Sequence, residues 1–372
     1  MFKKIFVSVI AILLVISVLP VSVFAENKDI KSGKTGDCTW TLEGTVLTIS
    51  GNGKMKDYFS EPPWANVVTK VIVNNGVTNI GNYSFAYCKG LSSITTPDSI
   101  TSIGKGAFQN CAGIKQITIP KYVTQIGDQA FQNCTGLTSI TIPENVATIG
   151  RFAVFDGCTN LGSINVSKNN SFYHSNGNCL IKTETKTLIK GCNNSIIPTD
   201  GSVVTLDGSA FSDCTRLKSI IIPDSVTSID GFSGCTGLTS ITIPDSVISI
   251  SGFSGCTGLT SITIPDSVTS ISGFSGCTGL TSITIPDSVT SISGFSGCTG
   301  LTSITMPDSI TSIGEYAFSE CINLTNVTIS NNIKSIEDGC FSGCTSLASI
   351  DIPNSVTSIG RHALTDVKGL QT

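Results

Sequence analysis

The sequence predicts a β-rich repeat solenoid, a stack of about 12 coils of 21–23 residues with a parallel ladder sheet, on three observations. First, residues 237–299 run one 21-residue unit three times, and a single position differs, Ile248 against Thr269 and Thr290. Second, Ile241 and Ile243 flank Thr242 with strand alternation, which turns the isoleucines to one face and Ser240 and Thr242 to the other. Third, Leu238, Ile241, Ile243, Val247, Ile250, Phe253 and Cys256 recur at fixed offsets. One unit cannot bury these apolar residues alone. A fixed period in the twenties therefore means coils that bury one another.

Each part of the unit has a stated role. Pro244 removes a backbone donor and ends the strand, and Asp245-Ser246 carries the turn. Val247 and Ile250 re-enter the core on the return path, followed by Phe253 and Cys256. At about 1.5–3 kcal/mol for each fully buried side chain, burial offsets the ordering entropy only in a stack.

Residues 1–25 read as a Sec-type signal peptide. Lys3 and Lys4 precede an apolar run from Ile5 to Leu19, and Val23 and Ala25 stand where a signal peptidase reads. The run is close to membrane-spanning length, but the cleavage pattern and the polar stretch after it favour removal. The mature chain is then exported, secreted or held at the cell surface, with no stable membrane insertion. Residues 26–73 do not follow the repeat. Two β-rich runs around Gly44 read as a hairpin, and the segment with Pro62, Pro63 and Trp64 is expected to wrap over the first coil as a cap. Trp40, Tyr58, Phe59 and Trp64 read as cap packing in preference to a sugar platform.

Residues 74–164 form a first block of repeats in a longer form. Pro97, Pro120 and Pro143 are 23 residues apart, as are Cys88, Cys111 and Cys134. Comparing IGKGAFQNC at 103–111 with ISGFSGC at 250–256, the long form has two extra residues and room for a short helical turn. Residues 165–204 break the pattern with polar turns and two short apolar strands, a hairpin insert. Repeats resume over 205–372.

These units, GLTSITIPDSVTSIG followed by AFxxC, resemble the BspA-type leucine-rich repeats of bacterial and protist surface proteins. The resemblance implies a curved right-handed leucine-rich-repeat solenoid displayed on, or released from, the cell surface, with some members implicated in adhesion. The segment FYHSNGNCLIKTETKTLI resembles an insert that recurs in that family. The chain departs from ordinary leucine-rich repeats at the asparagine-ladder position, where Ser246, Ser267 and Ser288 stand. Such a family of binding scaffolds passes on no catalytic residues.

Of the 15 cysteines, 11 fall on one repeat position, from Cys88 to Cys344, and are expected as a reduced, buried column. Cys179 and Cys192 across the insert are the pair to test for a disulfide. Asp245, Asp266, Asp287 and Asp308 recur in the turn, and they read as solvated turn residues bonded to their own backbone in preference to a calcium row. No metal or other cofactor is expected. Of the only histidines, His174 and His362, the one beside Tyr173 and near Cys179 has no orienting acid placed for it, so no catalytic residue is assigned. A net charge of −4 without a basic stripe argues against a nucleic-acid partner.

Two surfaces remain as candidates for an extracellular protein or glycan ligand. One is the hydroxyl face made by Ser240, Thr242, Ser261, Thr263, Ser282, Thr284, Ser303 and Thr305; the other is the insert, with Tyr173 and His174. The role expected is non-catalytic binding, with a structural spacer as the alternative.

Overall fold

The computed structural model describes residues 30–368 as a β-solenoid of about 14 turns. The expected signal peptide lies outside the described residues. Each coil has three sides. The first carries the Ile-Thr-Ile rung, the second the return rung Ser-Ile, and the third the Phe-to-Cys segment, called the back below.

The cap forms as an antiparallel meander. Strands Ile30–Thr35, Cys38–Glu43 and Val46–Gly51 pair in order, and Val46–Gly51 then pairs in parallel with Lys70–Val73. Gly44 takes the tight turn with φ 59°. Trp64 is fully buried, donates Nε1–H to the Ser84 carbonyl at 2.9 Å, and meets Trp40 and Tyr58 edge-on at 5.4 and 5.6 Å. Its other side meets Phe85, so Trp64 closes the phenylalanine column. Phe59 is the exception among these aromatics, 95% exposed.

The parallel ladder sheet expected from the repeat is interrupted on its first side. Ser219–Ile221 pairs with Ser240–Thr242, and Ser303–Thr305 with Asn326–Thr328, but the rungs at 261–264 and 282–285 form no strand. The return path carries the longer sheets instead. Five rungs from Ser228–Ile229 to Ser312–Ile313 pair in register without a break.

The back of the long coil is not helical. Left-handed residues stand four apart on either side of the Phe: Tyr83 and Tyr87 (φ 53° and 61°), and Gln129 and Asn133 (both 57°). An α-helix admits no such residues. The N–H groups here reach the next coil, Tyr83 to Lys105, Phe85 to Ala107 and Tyr87 to Gln109, at 2.7–2.9 Å. The short coil reaches the same result with Gly252 and Gly255, at φ 78° and 72°.

Between coils the core is columnar. Phenylalanine rings stack from Phe85 to Phe155 and from Phe211 to Phe341 with centroids 4.9–5.6 Å apart. All 15 cysteines are buried and unbridged, as a reduced column requires. Most column thiols donate to the Phe carbonyl of the preceding coil, for instance Cys256 to Phe232 and Cys277 to Phe253, both at 3.1 Å, while Cys214 faces the Gly191 carbonyl at 3.8 Å. Each of these Phe carbonyls also accepts the N–H of its own coil's cysteine, Cys235 to Phe232 and Cys256 to Phe253 at 3.0–3.1 Å, so the thiol fills the second lone pair.

The insert is a three-stranded antiparallel meander, Tyr173–Asn176, Cys179–Lys182 and Thr187–Lys190, and not a lone hairpin. Its last strand pairs in parallel with Thr205–Leu206 and so rejoins the stack. Its middle strand divides the core: Cys179 and Ile181 pack with the C-terminal coils and Leu180 with the N-terminal ones. Gly191 takes the place of the missing phenylalanine, and a Cβ there would lie 2.1 Å from the Phe211 ring. Beside it Lys190 is 3% exposed, with its ammonium 3.2 Å from Asp156 Oδ1 and 3.0 Å from the carbonyls of both Ser209 and Ser212.

Candidate ligand face

Hydroxyl side chains occupy several columns of the coil, and the structure separates them by what they bond. The serines at the asparagine-ladder position turn inward. Ser246, Ser267 and Ser288 donate to Val226, Val247 and Val268 of the preceding coil at 2.7–2.8 Å. They do the work of the ladder asparagine with one bond each. On the return path, Thr269, Thr290 and Thr311 donate to the carbonyl one coil below at 3.2–3.3 Å. Thr239, Thr281 and Thr302, just before the first rung, do the same at 3.0–3.5 Å.

The eight predicted ladder residues behave differently. Ser240, Thr242, Ser261, Thr263, Ser282, Thr284, Ser303 and Thr305 are all exposed. Among the described residues, none of their hydroxyls has a hydrogen-bond partner, whereas the isoleucines between them are buried or half-buried. Coils stacked near strand spacing, about 4.8 Å, therefore present two parallel rows of free donor–acceptor groups. A free hydroxyl on a rigid rung binds without first breaking an internal bond.

The flanking aspartates do not bond their own backbone as expected. Asp245, Asp266 and Asp287 are exposed and accept no hydrogen bond among the described residues, while the serine beside each donates to the preceding coil. Asp308 accepts from Asn331 of the next coil at 3.0 Å. Among the described residues no group of three His, Cys, Asp or Glu side chains is placed to hold a metal ion.

The insert candidates separate. Tyr173 is 4% exposed and its hydroxyl accepts the Ile149 N–H at 3.1 Å, continuing the ladder where a backbone carbonyl is lacking. Burial pushes its phenol above the ordinary value. Tyr173 is therefore a core residue and leaves the candidate surface. His174 is half-buried with Nδ1 3.0 Å from Thr183 Oγ1. Cys179 and Cys192 form no bridge: their thiols face the carbonyls of Gly177 and Ile196, and of Asn178, at 3.6–3.7 Å.

Sequence reasoning missed one part of the face. In the first block the rung at 116–119 makes only an isolated bridge, Gln116 to Ser139, and none to Ser93–Thr95. A groove of about 890 Å³ opens there, lined by Thr95, Gln116, Thr118, Lys121, Thr141 and Glu144 among others. Lys121 Nζ lies 3.6 Å from Glu144 Oε1 at its rim. Thr95, Thr118 and Thr141 stand at the repeat position of Thr242 and Gln116 at that of Ser240, while Lys121 and Glu144 take the turn position of Asp245.

Column thiols are unavailable for chemistry. Burial pushes Cys256 and Cys298 up to about 12 and Cys277 to about 11. A thiol so raised holds no thiolate at neutral pH. No helix among the described residues is long and apolar enough to cross a membrane.

Comparison with known proteins agrees with this architecture. No curated protein matches the chain. Among solved structures, a leucine-rich repeat protein from Eubacterium ventriosum is similar at 27% identity and a TM-score of 0.70, with 92% of this chain and 96% of that one covered. A leucine-rich repeat protein from Bacteroides ovatus is similar at 26% identity and a TM-score of 0.52, with 92% of each chain covered. The family model for the BspA type leucine rich repeat region matches residues 64–179, 182–294 and 272–372. With its coils and its Phe and Cys columns inside those matches, the chain belongs to the BspA-type leucine-rich-repeat family.

Proposed function

We propose that this protein is an exported, non-catalytic binding scaffold that holds an extracellular protein or glycan on its first-ladder face, in adhesion to a host, matrix or neighbouring cell. The observation that carries the reading is the contrast between hydroxyl columns. Turn serines such as Ser267 and Ser288 and return-path threonines such as Thr269 and Thr290 bond the backbone of the preceding coil, while the eight on this face have no internal partner and form two continuous rows on the ladder. The groove at Thr95, Thr118 and Thr141 extends the same face into the first block and adds a charged rim. Membership of a repeat family built as a scaffold supports binding over catalysis.

The test is a binding array of matrix proteins, mucins and glycans probed with residues 26–372. A saturable hit weakened at least tenfold by combined alanine substitution of Thr242, Thr263 and Thr284 is the expected result. Loss of binding only in a His174→Ala variant would move the site to the insert. Silence from a folded protein would leave a structural spacer as the better account.

A further inference from the structure

The extra residues of the long coil build a second wall beside the return path. Between Ile103 and Phe108 the chain passes through Gly104, Lys105, Gly106 and Ala107, where the short coil has only Ser251 and Gly252 between Ile250 and Phe253. A groove of about 480 Å³ runs between the two walls in the first block. Asn79, Ser102, Gln125 and Thr148 of the return rungs line one side. Asn82, Lys105, Asp128 and Arg151, from four successive coils, line the other.

The second row is held in place by its own side chains. Asp57 accepts the Asn82 N–H at 2.8 Å, Asn82 the Lys105 N–H at 2.7 Å, and Asp128 the Arg151 N–H at 2.8 Å. Glycine permits this approach: a Cβ on Gly104 would lie 2.6 Å from Asn82 Oδ1, and one on Gly150 2.5 Å from Asp128 Oδ1. Lys105 interrupts the relay, because an ammonium accepts nothing, and the Asp128 N–H is left without an acceptor among the described residues. The Lys105 ammonium and the Arg151 guanidinium are exposed and have no hydrogen-bond or ion-pair partner among them either. On the facing wall the side chains of Ser102, Gln125 and Thr148 are equally unbonded.

We infer that this groove binds a linear acidic glycan in which a uronate alternates with an N-acetylated hexosamine, at a site separate from the first-ladder face. Period and charge order carry the choice. Coils follow at about 4.8 Å, close to the advance of a β-linked pyranose chain, so successive sugars meet successive coils. An extended peptide advances about 3.3 Å per residue and falls out of step. Lys105 and Arg151 stand two coils apart and take the carboxylates of alternate sugars, with the Asp128 N–H as a second donor beside Lys105. Between them Asp128 Oδ2, which accepts nothing within the protein, takes the N–H of the intervening acetamide. Asp57, one coil before Asn82, repels a further uronate, so the groove takes one sugar for each coil from Asn82 to Arg151. Ser102, Gln125 and Thr148 bond hydroxyls on the opposite edge of the chain.

Titration calorimetry of residues 26–372 with a hyaluronan tetrasaccharide tests the inference. Saturable one-to-one binding is expected, and it weakens as salt is raised because both charge contacts lie at the surface. Lys105→Ala and Arg151→Ala each weaken it about fivefold, and the double variant more than either. Neither side chain bonds the protein, so the urea midpoints of these variants stay at the native value. Combined alanine substitution of Thr242, Thr263 and Thr284 leaves this binding intact, which separates it from the first-ladder site. A neutral chain of N-acetylglucosamine alone binds about tenfold more weakly or not at all. Absence of saturable binding up to millimolar tetrasaccharide overturns the inference. So does binding that the double variant leaves unchanged, or a polyglutamate peptide that binds as tightly as the glycan.

Discussion

Replacing Lys190 by Met tests whether the insert joins the two halves of the stack mechanically. The Lys190 ammonium has three acceptors, one from the coil before the insert (Asp156 Oδ1, 3.2 Å) and two from the coil after it (the carbonyls of Ser209 and Ser212, 3.0 Å each). Met keeps most of the aliphatic length and loses every donor. The substitution leaves two carbonyls and a carboxylate converging on a space that no longer holds a cation. Removing one partner of a buried pair costs about 3–5 kcal/mol. Asp156 retains 20% side-chain exposure and can regain water, which places Lys190→Met near the lower bound, about 3 kcal/mol. Asp156→Asn keeps both carbonyl bonds and an oxygen acceptor but leaves the buried ammonium without its counter-charge, so its cost is about 2 kcal/mol.

The assay uses the position of the tryptophans. Both Trp40 and Trp64 lie in the N-terminal cap, so their fluorescence reports the first block, while far-ultraviolet circular dichroism reports every coil. In urea the two signals should coincide for the native protein and separate in Lys190→Met. A repeat array loses cooperativity where one interface is weakened. Coincident transitions with an unchanged midpoint in Lys190→Met would refute the coupling. An Asp156→Asn variant as damaging as Lys190→Met would refute the division of energy between ion pair and carbonyls.

Three further outcomes follow from the columns. Ser267→Ala removes the donor to the Val247 carbonyl and should cost about 1–3 kcal/mol by urea midpoint, whereas Ser261→Ala, with no internal bond, should fall within about 0.5 kcal/mol. Phe274→Ala removes a ring stacked on both sides at 5.1 Å and should cost about 3–5 kcal/mol, read by the same denaturation. The native protein should resist thiol reagents at neutral pH and react fully only once unfolded. Its stability should be complete below the ordinary thiol value of 9.0 and fall as pH rises through about 11–12, because the unfolded chain releases thiol protons first. Alanine at Cys256, Cys277 and Cys298 should flatten that alkaline loss.

Much of the stack was readable because burial acts on residue type. Phe253 and Cys256 recur at fixed offsets, and only an inward position explains an apolar residue kept at every coil. The insert's recombination with the stack was not readable in this way. Residues 179–181 are a short apolar run, and period-two alternation does not say that its two faces belong to different cores. Nor did composition reveal the back of the long coil. Tyr83 and Gln129 are ordinary residues in left-handed conformation, held there by inter-coil hydrogen bonds that local preference does not encode. The glycines of the short coil were the available hint, because a position that accepts Gly252 in one coil form can demand positive φ in the other.

The ligand face marks a different kind of limit. Ser261, Ser267, Thr263 and Thr269 lie within nine residues of one another and have the same two side chains. Ser267 and Thr269 bond the coil below; Ser261 and Thr263 bond nothing in the protein. Only the third dimension tells them apart. A hydroxyl that closes an inter-coil bond would survive duplication for stability alone, so its repetition carries no functional information. Stability offers no such account for the free rows. Duplication could have copied them passively, but passive copies drift toward whatever a solvated strand tolerates, as Ile221 does at the position of Thr242, where it stands 64% exposed. Substituting Ile221→Thr therefore separates the two accounts. If the rows are a binding surface, extending them by one coil strengthens ligand binding without altering the urea midpoint. If they are passive, it changes neither.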